Sequence, residues 1–252
     1  MGSVTRKRTL LKWGVVASVI LLPLVAAALW WAAPGVDFGA WRSGPAPAPW
    51  AAWRIQVDRW AEAGVHRPIE HGWVPLAEIS PDLQLAVLVG EDIDFLGHGA
   101  VDLREVWDVL EGWRSGERLR GASTIAQQLA RTLFLNQERT LWRKLKELRL
   151  AWWLEHRLGK RRVFELYLNV VEFAPGVFGA EAGSMHYFGV SCRSLDPEQA
   201  AGLAAAIPAP GRDNPDTGSK RWLFRRSIIA SRMTRADWLR KELAAFGRTG
   251  GR

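Results

Sequence analysis

Glu91, Asp92 and Asp94 crowd one short stretch, VLVGEDIDFLGHGAVD, with His98 and Asp102 close behind. The run before them, DLQLAVLVG, is apolar nearly all round, the pattern of a helix central to a core, and Gly90 predicts that this helix ends there. A carboxylate at a helix C-terminus meets the negative end of the helix dipole, and burial also disfavours its charge. Both effects raise the pKa of Glu91 towards the range of a useful general base. An exposed helix-end acid fits the local pattern too, and spacing alone does not decide between them. Asp92 reads as a hydrogen-bonding organiser of the turn, and Asp94 as an exposed acid.

A second group lies in RGASTIAQQLAR. Thr124 and Gln127 form a T-x-x-Q capping box with Ser123 immediately before it. A helix N-terminus offers backbone N–H groups and positive potential, which suit a phosphate, although a well-capped helix and nothing more is the plainer reading. Arg131, Arg139, Arg143 and Lys144 follow closely and favour an anion, a diphosphate in particular. The third group is RTLWRKLKELRLAWWLE. Here Leu141, Leu145, Leu148 and Trp152 make one apolar stripe on a helical wheel. Glu147 falls on another face, one turn from Arg143, and is expected to be partly exposed. A helical Arg143–Glu147 ion pair accounts for it locally, at a few tenths of a kcal/mol. Nucleotide-binding glycine loops, H-E-x-x-H, cysteine metal patterns and the S-x-x-K of transpeptidases are all missing.

The elements that must position these groups read as mainly α. Ser80-Pro81 starts the apolar helix as N-cap and first-turn proline. Further helices are expected over about Asp102–Trp113, from Ser123 through FL, over Thr140–His156, and over RRVFELYLNVVEF, with short hairpins possible near Trp73 or Phe178. Trp50, Trp53, Val57 and Trp60 recur at helical spacing, a face for packing on the domain or for a membrane interface. Before them, Pro34 to Pro49 is rich in proline, glycine and alanine and reads as a linker.

The 252 residues suit one domain with length to spare; a single cysteine, Cys192, excludes an intrachain disulfide framework, and 48% hydrophobic content argues against wholesale disorder. The net charge of +8 alone does not choose between nucleic acid, anionic lipid and a phosphorylated substrate. Location does. After Arg6, Lys7, Arg8 and Lys12, the stretch Trp13 to Ala33 carries no charge and is longer than the apolar core of a cleaved signal peptide. It is expected to be an uncleaved anchor, with Trp30 and Trp31 at the interface, the N-terminus in the cytoplasm and the rest outside. Nucleic acid is then no partner. The expected divisions are a basic tail 1–12, an anchor 13–33, a linker and Trp-rich segment 34–65, a catalytic domain 66–235 and a C-terminal tail 236–252.

Taken in order, the motifs resemble those of the peptidoglycan glycosyltransferases of family 51, in their monofunctional, membrane-anchored form. E-D-x-x-F-x-x-H-x-G-x-D is matched by Glu91, Asp92, Phe95, His98 and Asp102. G-G-S-T-I-x-Q-Q-L is matched by Gly121, Ser123, Thr124, Ile125, Gln127, Gln128 and Leu129, and R-K-x-x-E by Arg143, Lys144 and Glu147. Tyr167, Leu168 and Asn169 with Gly176 and Gly179 match a fourth motif, and LAAAIPAPGRDNP resembles the closing one. The resemblance covers roughly residues 70 to 233.

It implies a lysozyme-like helical lobe with a smaller membrane-proximal jaw that polymerises lipid II into β-1,4 strands, inverting the anomeric carbon and releasing undecaprenyl diphosphate. Glu91 and Glu147 would be catalytic. Asp92, Phe95, His98, Ser123, Thr124, Gln127, Gln128, Arg131, Arg139, Arg143, Lys144 and Asn169 would bind substrate. Glu147 would hold the cations or help bind Mg2+ or Mn2+. Lipid II, the growing lipid-linked strand and the inner membrane are the implied partners, with cell-division or cell-wall synthesis proteins as further ones. Three departures stand out: Ala100 and Ala122 replace family glycines, and Arg131-Thr132 replaces Lys-Asn. Alanine would strain the loop if those positions need positive φ. A glycan-cleaving lysozyme-like enzyme and a non-catalytic scaffold of the wall machinery are the rival readings.

Overall fold

The Ser80 hydroxyl accepts a hydrogen bond from the Asp82 backbone N–H at 3.2 Å, and Pro81, with no N–H to satisfy, takes the first helical position. The helix so begun lies at the heart of the core around it. The structure, a computed structural model, describes residues 25, 30, 31, 35–101, 123–136, 138 and 140–248. In chain order the described elements are α1 (Ala51–Glu62), β1 (Glu70–His71), α2 (Pro81–Glu91), α3 (Ile125–Phe134), α4 (Leu141–Val170), β2 (Glu172–Ala174), β3 (Val177–Phe178), α5 (Ala180–Phe188), α6 (Pro197–Ala206), α7 (Lys220–Met233) and α8 (Asp237–Arg248). Contacts divide the chain into two units, Met1–Asp37 and Phe38–Arg252.

In the first unit residues 25, 30 and 31 are helical. The rest of the span expected at 13–33 lies outside the described residues, and no helix among those described is long and apolar enough to cross a membrane. The helix expected at Asp102–Trp113 and the basic loop after it also lie outside them.

In the second unit the mainly helical class holds. Leu83, Leu85, Ala86, Val87 and Leu88 of α2 are fully buried, as a helix apolar on all sides must be, and each leucine contributes roughly 2 kcal/mol by leaving water. α2 packs on α6 and α7. Close approach to α6 is possible because that helix is built almost wholly of small residues, Ala200 to Ala206 around one leucine. Its start is held by a reciprocal capping box between Asp196 and Gln199. The Trp222 indole of α7 donates to Gly202 O at 2.8 Å and locks α7 onto α6.

The two helices expected over Thr140–His156 and RRVFELYLNVVEF are both present: α4 runs from Leu141 to Val170 but is broken at Gly159, whose φ of 76° and ψ of 159° are not helical. The last expected residues, Glu172 and Phe173, leave the helix: Val171 turns extended, and β2 and β3 form a hairpin about Gly176. β1 adds in parallel to β3, giving the order β1-β3-β2. The tryptophan face of α1 covers this sheet. Trp50 is buried edge-on to Phe178 and Trp53 stacks on the same ring at 6.3 Å, so of the two uses open to that face the structure shows packing on the domain.

Of the segments set apart at 34–65 and 236–252, the described residues 38–65 and 236–248 are parts of the same unit as the domain between them. Arg162 donates to Trp41 O at 2.8 Å and to Gly44 O at 2.6 Å, while Leu239 and Leu243 of α8 are buried and Arg240 pairs with Asp82 at 2.8 Å.

Gly179 explains one of the spaced glycines. Its φ is 90°, and a Cβ there would stand 2.6 Å from the Asn169 carbonyl oxygen. Asn169 in turn clamps the chain at Val74, accepting its N–H at 2.8 Å and donating to its carbonyl at 2.9 Å. Gly179→Ala is therefore expected to cost about 3 kcal/mol through backbone strain and overpacking, read as a lower urea midpoint at unchanged m-value.

Candidate active site

The C-terminus of α2, the length of α3, the two ends of α4 and Arg225 of α7 meet around a cavity of about 660 Å³. Glu91 lies on its wall with Gln128, Arg131, Arg143, Tyr167 and Arg225. The carboxylate is gripped from both sides. Gln128 Nε2 donates to Oε2 at 2.9 Å, and Arg225 Nη2 donates to Oε1 at 2.6 Å. The Tyr167 hydroxyl donates to Gln128 Oε1 at 2.9 Å, which turns the amide so that its NH2 faces Glu91. Burial holds the Tyr167 phenol protonated, far above its ordinary range, so it stays a donor.

Burial raises the pKa of Glu91 above 4.5 as expected; the charge of Arg225, its hydrogen bond and that of Gln128, and the charge of Arg131 oppose it. The helix end adds less than the sequence implies. Arg225 donates to Gly90 O and Arg232 to Val89 O, both at 2.9 Å, so two guanidinium groups cover the negative end of α2.

Asp92 is the organiser of the turn and occupies the place where an anion was expected. Its Oδ2 accepts from the Ile125 N–H at 2.9 Å, at the start of α3, while the Thr124 hydroxyl accepts from Gln127 N and donates to Ala100 O at 2.9 Å. The start of α3 is thus partly spent within the protein. His98 binds Asp92 Oδ1 through Nε2 and the Gly99 carbonyl through Nδ1, each at 2.6 Å. Both partners are acceptors, so both ring nitrogens carry hydrogen and the ring is an imidazolium. The hydrogen bond to Asp92 is the main reason its pKa is raised from 6.5 to about 9. A pKa raised in the folded state stabilises the fold below pH 6.5 and loses that effect as pH passes about 9. Thermal melts should therefore show wild type losing stability relative to His98→Gln between those two values.

Glu147, expected to be partly exposed, is 1% exposed, whereas Leu141 and Leu145 of the apolar stripe are 69% and 41% exposed. α4 turns its charged face inward because α3 offers polar partners there. Lys144 Nζ donates to Ser123 Oγ at 3.1 Å, and to Gln127 Oε1 and Glu147 Oε1 at 2.6 Å, and Arg143 pairs with the other oxygen of Glu147. Ser123, Arg131 and Arg143 face the cavity, with Lys144 held behind them. Both oxygens of Glu147 are engaged by cations, and among the described residues no group of three or more His, Cys, Asp and Glu is placed to hold a metal by itself.

Other expected contacts fall elsewhere. Phe95 is a core residue against Phe164, and Asn169 is buried with its amide spent on backbone. Arg139 and Ala122 lie outside the described residues. Ala100 is buried with an ordinary φ, since no described non-glycine residue has positive φ, so the strain considered there does not arise. Arg225 gave no local signal: it is 134 residues from Glu91, outside every stretch singled out in the sequence. Tyr167 stood in a recognised motif, but only the fold shows that it orients Gln128.

A family model described as Transglycosylase matches residues 60–234. Among similar curated proteins, a biosynthetic peptidoglycan transglycosylase of Methylobacillus flagellatus is 43% identical over 67% of this chain and 74% of its own length. Proteins of the same name from Shewanella oneidensis and Laribacter hongkongensis are 39% and 37% identical, over 80% and 89% of this chain and 81% and 97% of theirs. With a match of this extent, and with relatives aligned along most of their own length, the chain belongs to the transglycosylase family.

Proposed function

We propose that Glu91 is the general base with which this chain, a peptidoglycan glycosyltransferase, joins lipid II units into β-1,4 glycan strands. The observation that carries this reading is one cavity holding a buried carboxylate of raised pKa beside Arg131, Arg143 and Ser123. The incoming sugar's 4-hydroxyl loses its proton to Glu91 as its oxygen attacks the anomeric carbon of the lipid-linked strand. The bond from that carbon to the diphosphate breaks on the opposite face, so configuration inverts. The electron pair leaves with undecaprenyl diphosphate, which needs charge neutralisation more than a proton, and the cavity arginines supply it. Glu147 acts behind them by fixing Lys144 and Arg143.

A lipid substrate also accounts for the apolar run at 13–33: a single cytoplasm-to-outside span in the inner membrane would hold the cavity where its substrate is confined. The full chain in detergent, given lipid II, should yield strands and free undecaprenyl diphosphate. Cleavage of preformed strands without polymerisation would instead assign it to the lysozyme-like hydrolases.

A further inference from the structure

We infer that Arg225 is a positioning residue that keeps the Glu91 carboxylate ionised and aimed at the acceptor hydroxyl. The inference rests on the reading of Glu91 as the base. Arg225 reaches the cavity from α7 and bonds both Glu91 Oε1 and the Gly90 carbonyl, so one guanidinium fixes the carboxylate against the backbone of its own helix. Gly90 leaves room for α7 at close range: a Cβ there would stand 3.0 Å from Ile229 Cδ1, which would have to give by a few tenths of an ångström, and in ordinary contact at 3.9 Å with Arg225 Nη2. α7 is itself held by Trp222 on Gly202 and by buried Ile229, so the guanidinium is delivered from a rigid element.

The other groups facing Glu91 do not replace it. α3 brings Gln128, which is neutral, and Arg131, which acts by its charge without a hydrogen bond to the carboxylate. α4 brings the neutral Tyr167, and the end of α6 brings Ile207 and Pro208. Arg143, Glu138 and Glu172 line the same cavity, and Asp92 is engaged by His98 and Ile125. Arg225 is therefore the one cation hydrogen-bonded to Glu91 among the described residues.

The test is the pH dependence of lipid II polymerisation by the full chain carrying R225A, R225K or R225Q. Losing an opposite charge at hydrogen-bond distance should move the acidic limb of kcat in R225A and R225Q up by about one pH unit or more. Their rates should fall about tenfold on that limb and recover at higher pH, with KM changed less than twofold. R225K should return the limb close to wild type. R225Q keeps a donor and much of the volume, so it carries the test if R225A does not fold. An unmoved limb with a raised KM would make Arg225 a substrate contact, and a rate loss equal at every pH would make it a brace; either overturns the inference. Glu91→Gln, measured alongside, separates the two readings. If it turns over normally, the base assignment itself fails; if it is silent while the R225A limb stays put, the inference about Arg225 alone falls.

Discussion

Replacing Glu91 with glutamine is expected to abolish measurable strand synthesis, a loss of about a thousandfold or more, while leaving the fold in place. Glutamine keeps the shape, and its one amide oxygen can accept from Arg225 or from Gln128, though not from both, but it cannot take a proton, and general-base catalysis is worth roughly 10²–10⁴ in rate. Stability should hardly fall and can rise. Burial places the folded pKa of Glu91 above its ordinary 4.5, so the carboxylate favours folding below that value and burdens the fold as pH rises through the raised one. Glutamine removes that burden and leaves Arg225 without its counter-ion, two effects of opposite sign. In wild type the rate should climb with pH along a limb above pH 4.5, because only the ionised carboxylate accepts a proton. Lipid II turnover and thermal melts on the same preparations check both halves, and near-normal turnover in the variant would remove Glu91 from the base role.

Replacing Glu147 with glutamine should be costly in both activity and stability. The carboxylate is buried between Arg143 and Lys144, and Lys144 also holds Ser123 and Gln127 at the start of α3. Neutralising it leaves two cations facing each other, at about 3 kcal/mol, the lower end for a broken buried pair because both cations keep an edge in water. Arg143 then shifts in the cavity, and misplacement by about 1 Å of a group that must meet the diphosphate costs on the order of 10²-fold in rate. Urea unfolding and kcat/KM measure the two effects. A double variant with Lys144→Gln tests the cause: if Glu147 acts through its cations, the losses should be far from additive. Additive losses would point to a direct part for Glu147 in the chemistry.

Much of this architecture is local and so was legible in the residues themselves. Ser80-Pro81, Thr124 with Gln127, and Thr140 begin helices because a side-chain oxygen within three residues satisfies the first free N–H groups. The apolar make-up of α2 and the end of that helix at Glu91 also follow from neighbours along the chain, whereas the burial that raises the pKa of Glu91 comes from packing. The order of the motifs identified the family, and the family model confirms it. What the residues could not show is which face of an element points inward when both carry apolar groups. α4 buries Glu147 and exposes Leu141 because the polar start of α3 packs against it, a choice made between helices. The tryptophans of α1 settle on the sheet for the same kind of reason.

The sequence by itself determined the helical class, the caps, the family and the identity of Glu91 as the acid to watch. Tertiary structure alone decided its company. It placed Arg225 and Tyr167 around that carboxylate, spent Asp92 on the start of α3, and turned Asn169 from an expected substrate contact into a backbone clamp. The physical reason is range. Capping, periodicity and turn chemistry act over about four residues, whereas an ion pair between residues 134 apart exists only once packing has brought two helices together.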